Sequence, residues 1–163
     1  MISRRNWPRR AAGFTLMELI IAMVIVGILA SIAAPSFKDI MVDQRIKSAS
    51  FDITAALTLA RSEAIKQNGA VTLTPTSGTT AWASGWRVAG PDGVVFSTQG
   101  VYPSITITGP ASIVYNRSGR SSSSTTVTLQ VASASSGGTA TEVAPRCISI
   151  GLTGQPKTVK GTC

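Results

Sequence analysis

Residues 13–34 read Gly13-Phe14-Thr15-Leu16-Met17-Glu18-Leu19-Ile20-Ile21-Ala22-Met23-Val24-Ile25-Val26-Gly27-Ile28-Leu29-Ala30-Ser31-Ile32-Ala33-Ala34. Glu18 is the one charge between Phe14 and Ala34. As a helix the run is long enough to cross a bilayer, which takes about 20 apolar residues. Arg4, Arg5, Arg9 and Arg10 precede it. That asymmetry keeps the N-terminus in the cytoplasm and sends the C-terminal part outward. A secretory signal is the rival reading, but its apolar region is shorter and ends at a small-residue cleavage site. Here the run continues to Pro35 without a good A-x-A site. A plain signal anchor leaves Glu18 unexplained. A carboxylate at mid-membrane costs about 2.5–3.5 kcal/mol. Near a helix start the cost is smaller, yet a partner is still expected.

Beyond Pro35 the pattern turns amphipathic. Proline removes a helix hydrogen bond and favours a kink, and Gly27 is a second weak point. Ile46, Ala49, Ile53, Ala56, Leu57, Ala60 and Ala64 then recur at three- and four-residue steps. Lys38, Asp39, Asp43, Lys47, Asp52, Arg61 and Lys66 fill the polar positions. One stripe of this segment should pack on a sheet. Asn68-Gly69 supplies the stop, so a helix is expected from about residue 14 to residue 67.

After Gly69 the helical period disappears. Short β-prone runs fall at residues 70–74, 85–89, 94–98, 104–108, 112–115, 125–131, 147–150 and 158–160, separated by Gly, Pro, Asn and Ser. Residues 121–124 and 135–138 are Ser/Gly-rich and flexible by composition. The expected fold class is α+β: a long N-terminal helix packed on antiparallel β-sheet. The expected divisions are 1–13, 14–35 and 36–163, with an amphipathic helix at 36–67 and a β-rich part at 70–163.

Composition agrees with one folded domain plus one membrane element. Of the 163 residues 44% are hydrophobic and only 13% charged, and much of the apolar excess sits at 14–34. The net charge is +8, but removing the four leader arginines leaves 11 basic against 7 acidic side chains, a mildly basic domain. There is no histidine and no CxxC, which leaves no metal-binding pattern and calls for no cofactor. The seven carboxylates are scattered, and no nucleophile elbow or P-loop occurs, so nothing recommends an enzyme. Cys147 and Cys163 would be free thiols in a reducing compartment and a disulfide on the outer side of a membrane.

The stretch Gly13-Phe14-Thr15-Leu16-Met17-Glu18 resembles the class III signal of type IV pilins and type II secretion pseudopilins. The resemblance implies that a prepilin peptidase cuts between Gly13 and Phe14 and methylates the new N-terminus. It implies that Glu18, fifth in the mature chain, pairs with the terminal amine of a neighbouring subunit during assembly. A carboxylate and an ammonium in low dielectric offset part of each other's desolvation. The implied partners are other minor and major pilins or pseudopilins, the peptidase and an inner-membrane assembly platform. The implied location is a single-pass inner-membrane protein with a periplasmic domain, later part of an extracellular pilus or periplasmic pseudopilus.

Three further segments resemble the GspH/FimT/FimU branch: Ala60-Arg61-Ser62-Glu63-Ala64-Ile65, Trp82-Ala83-Ser84-Gly85-Trp86-Arg87-Val88, and Tyr115-Asn116-Arg117-Ser118-Gly119-Arg120. Read as residues alone, Arg61 and Glu63 are surface charges, and Trp82 and Trp86 are packing residues. The branch implies a minor pilin that primes the pilus and sits near its tip, a DNA-binding minor pilin for transformation, or the H pseudopilin of type II secretion. Its FimU-type members have a C-terminal cysteine pair, which implies a Cys147–Cys163 disulfide pinning the tail to a strand. FimT-type members carry a C-terminal Gly-Arg-x-Arg turn. The matching Gly154-Gln155-Pro156-Lys157 lacks the first arginine and replaces the second by lysine, so one bidentate phosphate contact is lost and the other becomes a point charge. Arg117, Arg120, Arg146, Lys157 and Lys160 remain as candidate phosphate contacts.

Overall fold

Thr15 opens the long helix α1, Leu16–Lys66, by accepting a hydrogen bond from the Glu18 N–H on its hydroxyl at 3.2 Å. That satisfies one of the free donors at a helix start. The computed structural model describes residues 13–78, 80–134 and 143–163. The expected leader, Gly13 excepted, lies outside the described residues, as do the Ser/Gly segment 135–138 and Glu142. The chain divides into two compact units, Met1–Phe37 and Lys38–Cys163, and α1 contributes to both. Where Pro35 suggests a kink, the backbone stays helical, although proline cannot donate to the Ser31 carbonyl.

In the first unit the described apolar side chains of α1, among them Leu16, Met17, Leu19, Ile20, Val24, Ile25, Ile28 and Ile32, are exposed. Ser31 donates its hydroxyl to the Ile28 carbonyl at 2.7 Å, so it carries no unmet donor. Among the described residues no helix is long and apolar enough to cross a membrane.

In the second unit the helix buries the stripe that its period marks. Ile46, Ala49, Ile53, Ala56, Leu57, Ala60 and Ala64 are all buried. The four alanines let the sheets approach closely, and each buried Ile or Leu contributes about 1.5–3 kcal/mol. The helix ends in a Schellman motif. Gly69 N–H reaches back to the Ala64 carbonyl and Asn68 N–H to the Ile65 carbonyl, with Asn68 itself left-handed at φ 50°.

Among the described residues eight strands follow: β1 Val71–Pro75, β2 Trp86–Ala89, β3 Val95–Gln99, β4 Ile105–Thr108, β5 Ile113–Tyr115, β6 Val127–Ser133, β7 Arg146–Ile150 and β8 Pro156–Lys160. A single 3-10 turn, Trp82–Ser84, precedes β2. The strands form two antiparallel four-stranded sheets, ordered β3-β2-β1-β5 and β4-β6-β7-β8. Val71, Leu73, Trp86, Val88, Ile113 and Tyr115 face the core from the first sheet. Ile105, Ile107, Leu129, Val131, Ile148 and Ile150 face it from the second, and one cluster joins both sheets to the helix. The chain crosses to the second sheet at β4, returns for β5 and leaves again for β6. Alternating burial fixes each strand's inner face but not its neighbour. β8 starts at Pro156, two residues earlier than its composition suggests, because an edge strand tolerates proline.

Candidate functional site

The expected processing and assembly residues sit together at the start of α1. Gly13 and Phe14 precede the helix, and Phe14 is 81% exposed. Glu18 is the third helical residue, in the first turn, where the helix dipole favours a carboxylate. Thr15-Leu16-Met17-Glu18 has the spacing of a capping box, a signal that the apolar reading of this run passes over. Threonine thus fixes where the helix begins, and hence how far Glu18 lies from the amine that cleavage after Gly13 would release.

The domain's second candidate region lies where two turns meet the helix. The turn between β5 and β6 is built by Asn116, whose Oδ1 accepts from the Ser118 and Arg120 N–H groups at 2.9 and 3.1 Å. Gly119 rests on Ile65, and Arg61 Nε donates to the Gly119 carbonyl at 3.0 Å. Arg61 is therefore half-buried and ties the helix to this turn, which corrects its reading as a surface charge. Glu63 does stay local, accepting from Lys66 and Gln67. The turn between β7 and β8 closes on the same place. Gly154 is buried, left-handed at φ +79°, and a Cβ there would collide with the Gly119 carbonyl oxygen. The two glycines explain why the Gly119-Arg120 and Gly154-Gln155 segments are chemically linked.

The basic candidates divide on this frame. Arg117 and Arg120 are exposed on the β5–β6 turn, and Arg120 borders Gly154. Lys157 is exposed on β8 just past the β7–β8 turn. Arg146 and Lys160 pair across the other end of that hairpin. Three positions of strand separate Lys157 from Lys160, about 10 Å at 3.3 Å per residue. Lys157 pairs with Ser149, whose parity is opposite to that of Arg146, so the hairpin presents its lysines on different faces. The β5–β6 turn that carries Arg117 and Arg120 thus packs on the β7–β8 turn that leads into Lys157, and strand register sets Arg146 and Lys160 at the far end of the hairpin.

Trp82 and Trp86 are core residues. Trp82 Nε1 donates to the Pro110 carbonyl at 2.8 Å, and Trp86 stacks on Tyr102 with centroids 5.6 Å apart. Between them Gly85 passes so close to the Gln99 carbonyl that any side chain would strike it. Tyr102 hydroxyl in turn donates to Asp52 on the helix, and Arg45 Nη1 reaches the Pro103 carbonyl. Burial, then the hydrogen bond to Asp52 and that carboxylate's charge, push the Tyr102 phenol upward, with Gln99 opposing.

Tyr115 has a different environment. Its hydroxyl is buried without a hydrogen-bond partner among the described residues. Burial pushes its phenol up to about 12, and the positive charge of Arg61 opposes the rise. A raised phenol favours the neutral form in the folded state. Its contribution to stability is complete below about pH 10 and is lost as the pH climbs through about 12. Tyr115→Phe should remove that alkaline loss. It should also raise stability by about 1 kcal/mol at neutral pH, because it deletes an unsatisfied buried hydroxyl. Urea unfolding at pH 7 and pH 11 checks both; a variant less stable than the parent at pH 7 contradicts the orphaned hydroxyl.

Cys147 and Cys163 are joined in a disulfide, with Cα atoms 5.0 Å apart. It holds the last residues against β7. Among the described residues no group of three or more His, Cys, Asp or Glu could hold a metal ion.

Comparison with known proteins fits this geometry. Residues 49–154 match the family described as type II transport protein GspH, and residues 8–34 match the prokaryotic N-terminal methylation motif. The type IV narrow pilus major component of Thermus thermophilus is 55% identical over 47 residues, 29% of this chain. That match spans 39% of the relative's length. Two crystal structures of the Pseudomonas aeruginosa type IV minor pilin FimU share the fold at TM-score 0.57. They are 18% and 20% identical, cover 71% and 69% of this chain, and are covered over 89% and 91% of their own length. An antiparallel domain on an N-terminal helix, with the methylation motif in front of it, is thus the shared ground. The chain belongs to the GspH family and has a type IV pilin-like fold.

Proposed function

We propose that the chain is a minor type IV pilin that is cut between Gly13 and Phe14, held in the inner membrane by residues 14–35, and built into the pilus at or near its tip, where it helps to prime assembly. The domain at 36–163 is then periplasmic before assembly. The observation that carries this reading is Glu18, a carboxylate in the first turn of an otherwise apolar and fully exposed helical segment. Such a segment needs apolar surroundings, and the carboxylate in it needs a cation. The amine of a neighbouring pilin supplies one. Glu18→Ala should leave cleavage intact and reduce incorporation into sheared filaments at least tenfold. Immunoblots for processed protein in membrane and filament fractions measure both, and normal incorporation defeats the assignment. Service in a type II secretion pseudopilus is the alternative for the same chemistry. A deletion strain that keeps pili and twitching but loses secretion decides for it.

DNA binding is a second reading, favoured by one observation: the turn that carries Arg117 and Arg120 packs on the turn that leads into Lys157. Three cations without a bidentate pair support weak, salt-dependent contact with phosphate. The full chain in detergent should retard duplex DNA at low salt. Arg117→Ala with Arg120→Ala should abolish the shift, and Lys160→Ala should leave most of it. No shift at micromolar protein removes this reading.

A further inference from the structure

Each four-stranded sheet has two edges, and three of the four are guarded. β8 carries Pro156, Lys157 and Lys160 along its open side. β5 is covered by the returning chain, since Tyr115 bridges to Ser121 and Ser122 N–H donates to the Val114 carbonyl. β4 lies beside the 3-10 turn, which is bonded to the chain before and after the strand through Tyr102 N–H to the Ala83 carbonyl and Trp82 Nε1 to the Pro110 carbonyl. Proline, lysine and covering chain are the usual means by which an edge is kept from pairing.

Among the described residues β3 has none of these. It ends its sheet, and no further strand pairs with it among the described residues. Residues 94–100, Val94-Val95-Phe96-Ser97-Thr98-Gln99-Gly100, contain no charge and no proline. Val94, Val95 and the nearby Val101 are 57%, 50% and 71% exposed. Unpaired backbone donors and acceptors along such a strand recognise one kind of ligand, an extended chain.

We infer that β3 is a docking edge for β3 of a second copy, the two strands pairing antiparallel about a two-fold axis. The choice of a second copy rests on self-complementarity. An isologous contact requires one patch to fit itself. Antiparallel pairing of residues 94–100 with themselves sets no charge against a like charge and places apolar valines at both ends of the ladder. Among the described residues β3 is also the strand with a free, extended and uncharged edge, so both halves of the contact are present. The other open edge, β8, would bring Lys157 and Lys160 to an uncharged ladder. This contact does not depend on the role assigned to Glu18.

The test uses the full chain in detergent, followed by sedimentation over a concentration series. The parent should show a monomer–dimer equilibrium. Val95→Lys combined with Thr98→Lys should weaken it at least tenfold, because the two-fold brings the new charges together. Thr106→Lys on β4 should leave it unchanged. As a check that does not require lysine to be tolerated, Thr98→Cys should give a dimer with a short bis-maleimide, and Thr106→Cys should not. A parent that stays monomeric, a dimer indifferent to the lysine pair, or equal cross-linking at both cysteines overturns the inference; the last two assign any dimer to another surface such as the apolar helix.

Discussion

Gly154→Ala should lower the unfolding free energy by about 2–5 kcal/mol, more than replacement of any exposed glycine. Two costs combine. A left-handed residue with a Cβ loses about 1–2 kcal/mol. The added methyl also meets the Gly119 carbonyl oxygen and the Arg120 Cα, which are backbone atoms that no rotamer change can move. Forced adjustment in a packed region costs a further 1–3 kcal/mol or so. Gly93 provides the control. It is left-handed at φ +75° with nothing within 4 Å of its added Cβ, so Gly93→Ala should cost only the first amount. The difference in urea midpoint between the two variants isolates the steric part. A marginal domain stable by about 5–15 kcal/mol would survive Gly93→Ala and be severely weakened by Gly154→Ala. Equal losses would mean that the two turns are not packed on each other. Because Gly119 is held by Arg61, Gly154→Ala should also loosen the hold of the helix on the β5–β6 turn.

Loss of the disulfide is the other large effect. Cys147 and Cys163 are 16 apart in sequence, and closing a loop of about that size stabilises by about 3 kcal/mol on the chain-entropy model. Cys163→Ser should therefore reduce stability by about 3 kcal/mol, and reductant should bring the parent down to the same midpoint. Intact mass with and without alkylation confirms the bond in each sample. Cys147 is buried, so Cys147→Ser should cost somewhat more than Cys163→Ser by placing a hydroxyl where sulfur packed. A parent unaffected by reductant, with both thiols alkylated, would show that the tail is held by strand pairing alone. The distinction bears on biology: an outward-facing domain can keep such a bond, and a cytosolic one cannot.

Much of the fold was legible from particular residues. The seven inward residues of the helix were marked by their spacing, because a helix that packs on one side must repeat its apolar side chains at its own period. Asn68-Gly69 marked the stop, although the left-handed residue proved to be asparagine, with glycine closing the longer bond. The capping role of Thr15 was equally available in the T-x-x-E spacing, but it is masked in a run that reads first as a membrane segment. Arg61 was not legible. Its period places it beside the buried stripe, and nothing local says that a carbonyl 58 positions later completes its hydrogen bonding. The basic candidates show the same limit. Five cations in one half of the chain look like a patch, and only strand register separates Arg146 and Lys160 from the others.

Sequence by itself determined the apolar helical run with its single carboxylate, the amphipathic continuation, the number of strands and the class of protein that carries them. Those features depend on interactions within a few residues or on a periodic pattern, so the chain displays them directly. Tertiary structure decided the split into two sheets, the exchange of β4 and β5 between them, the meeting of Gly119 and Gly154 and the open edge at β3. Each of these depends on which strand lies beside which. That choice is made by packing between residues far apart in the chain, and alternation within a strand is silent about it.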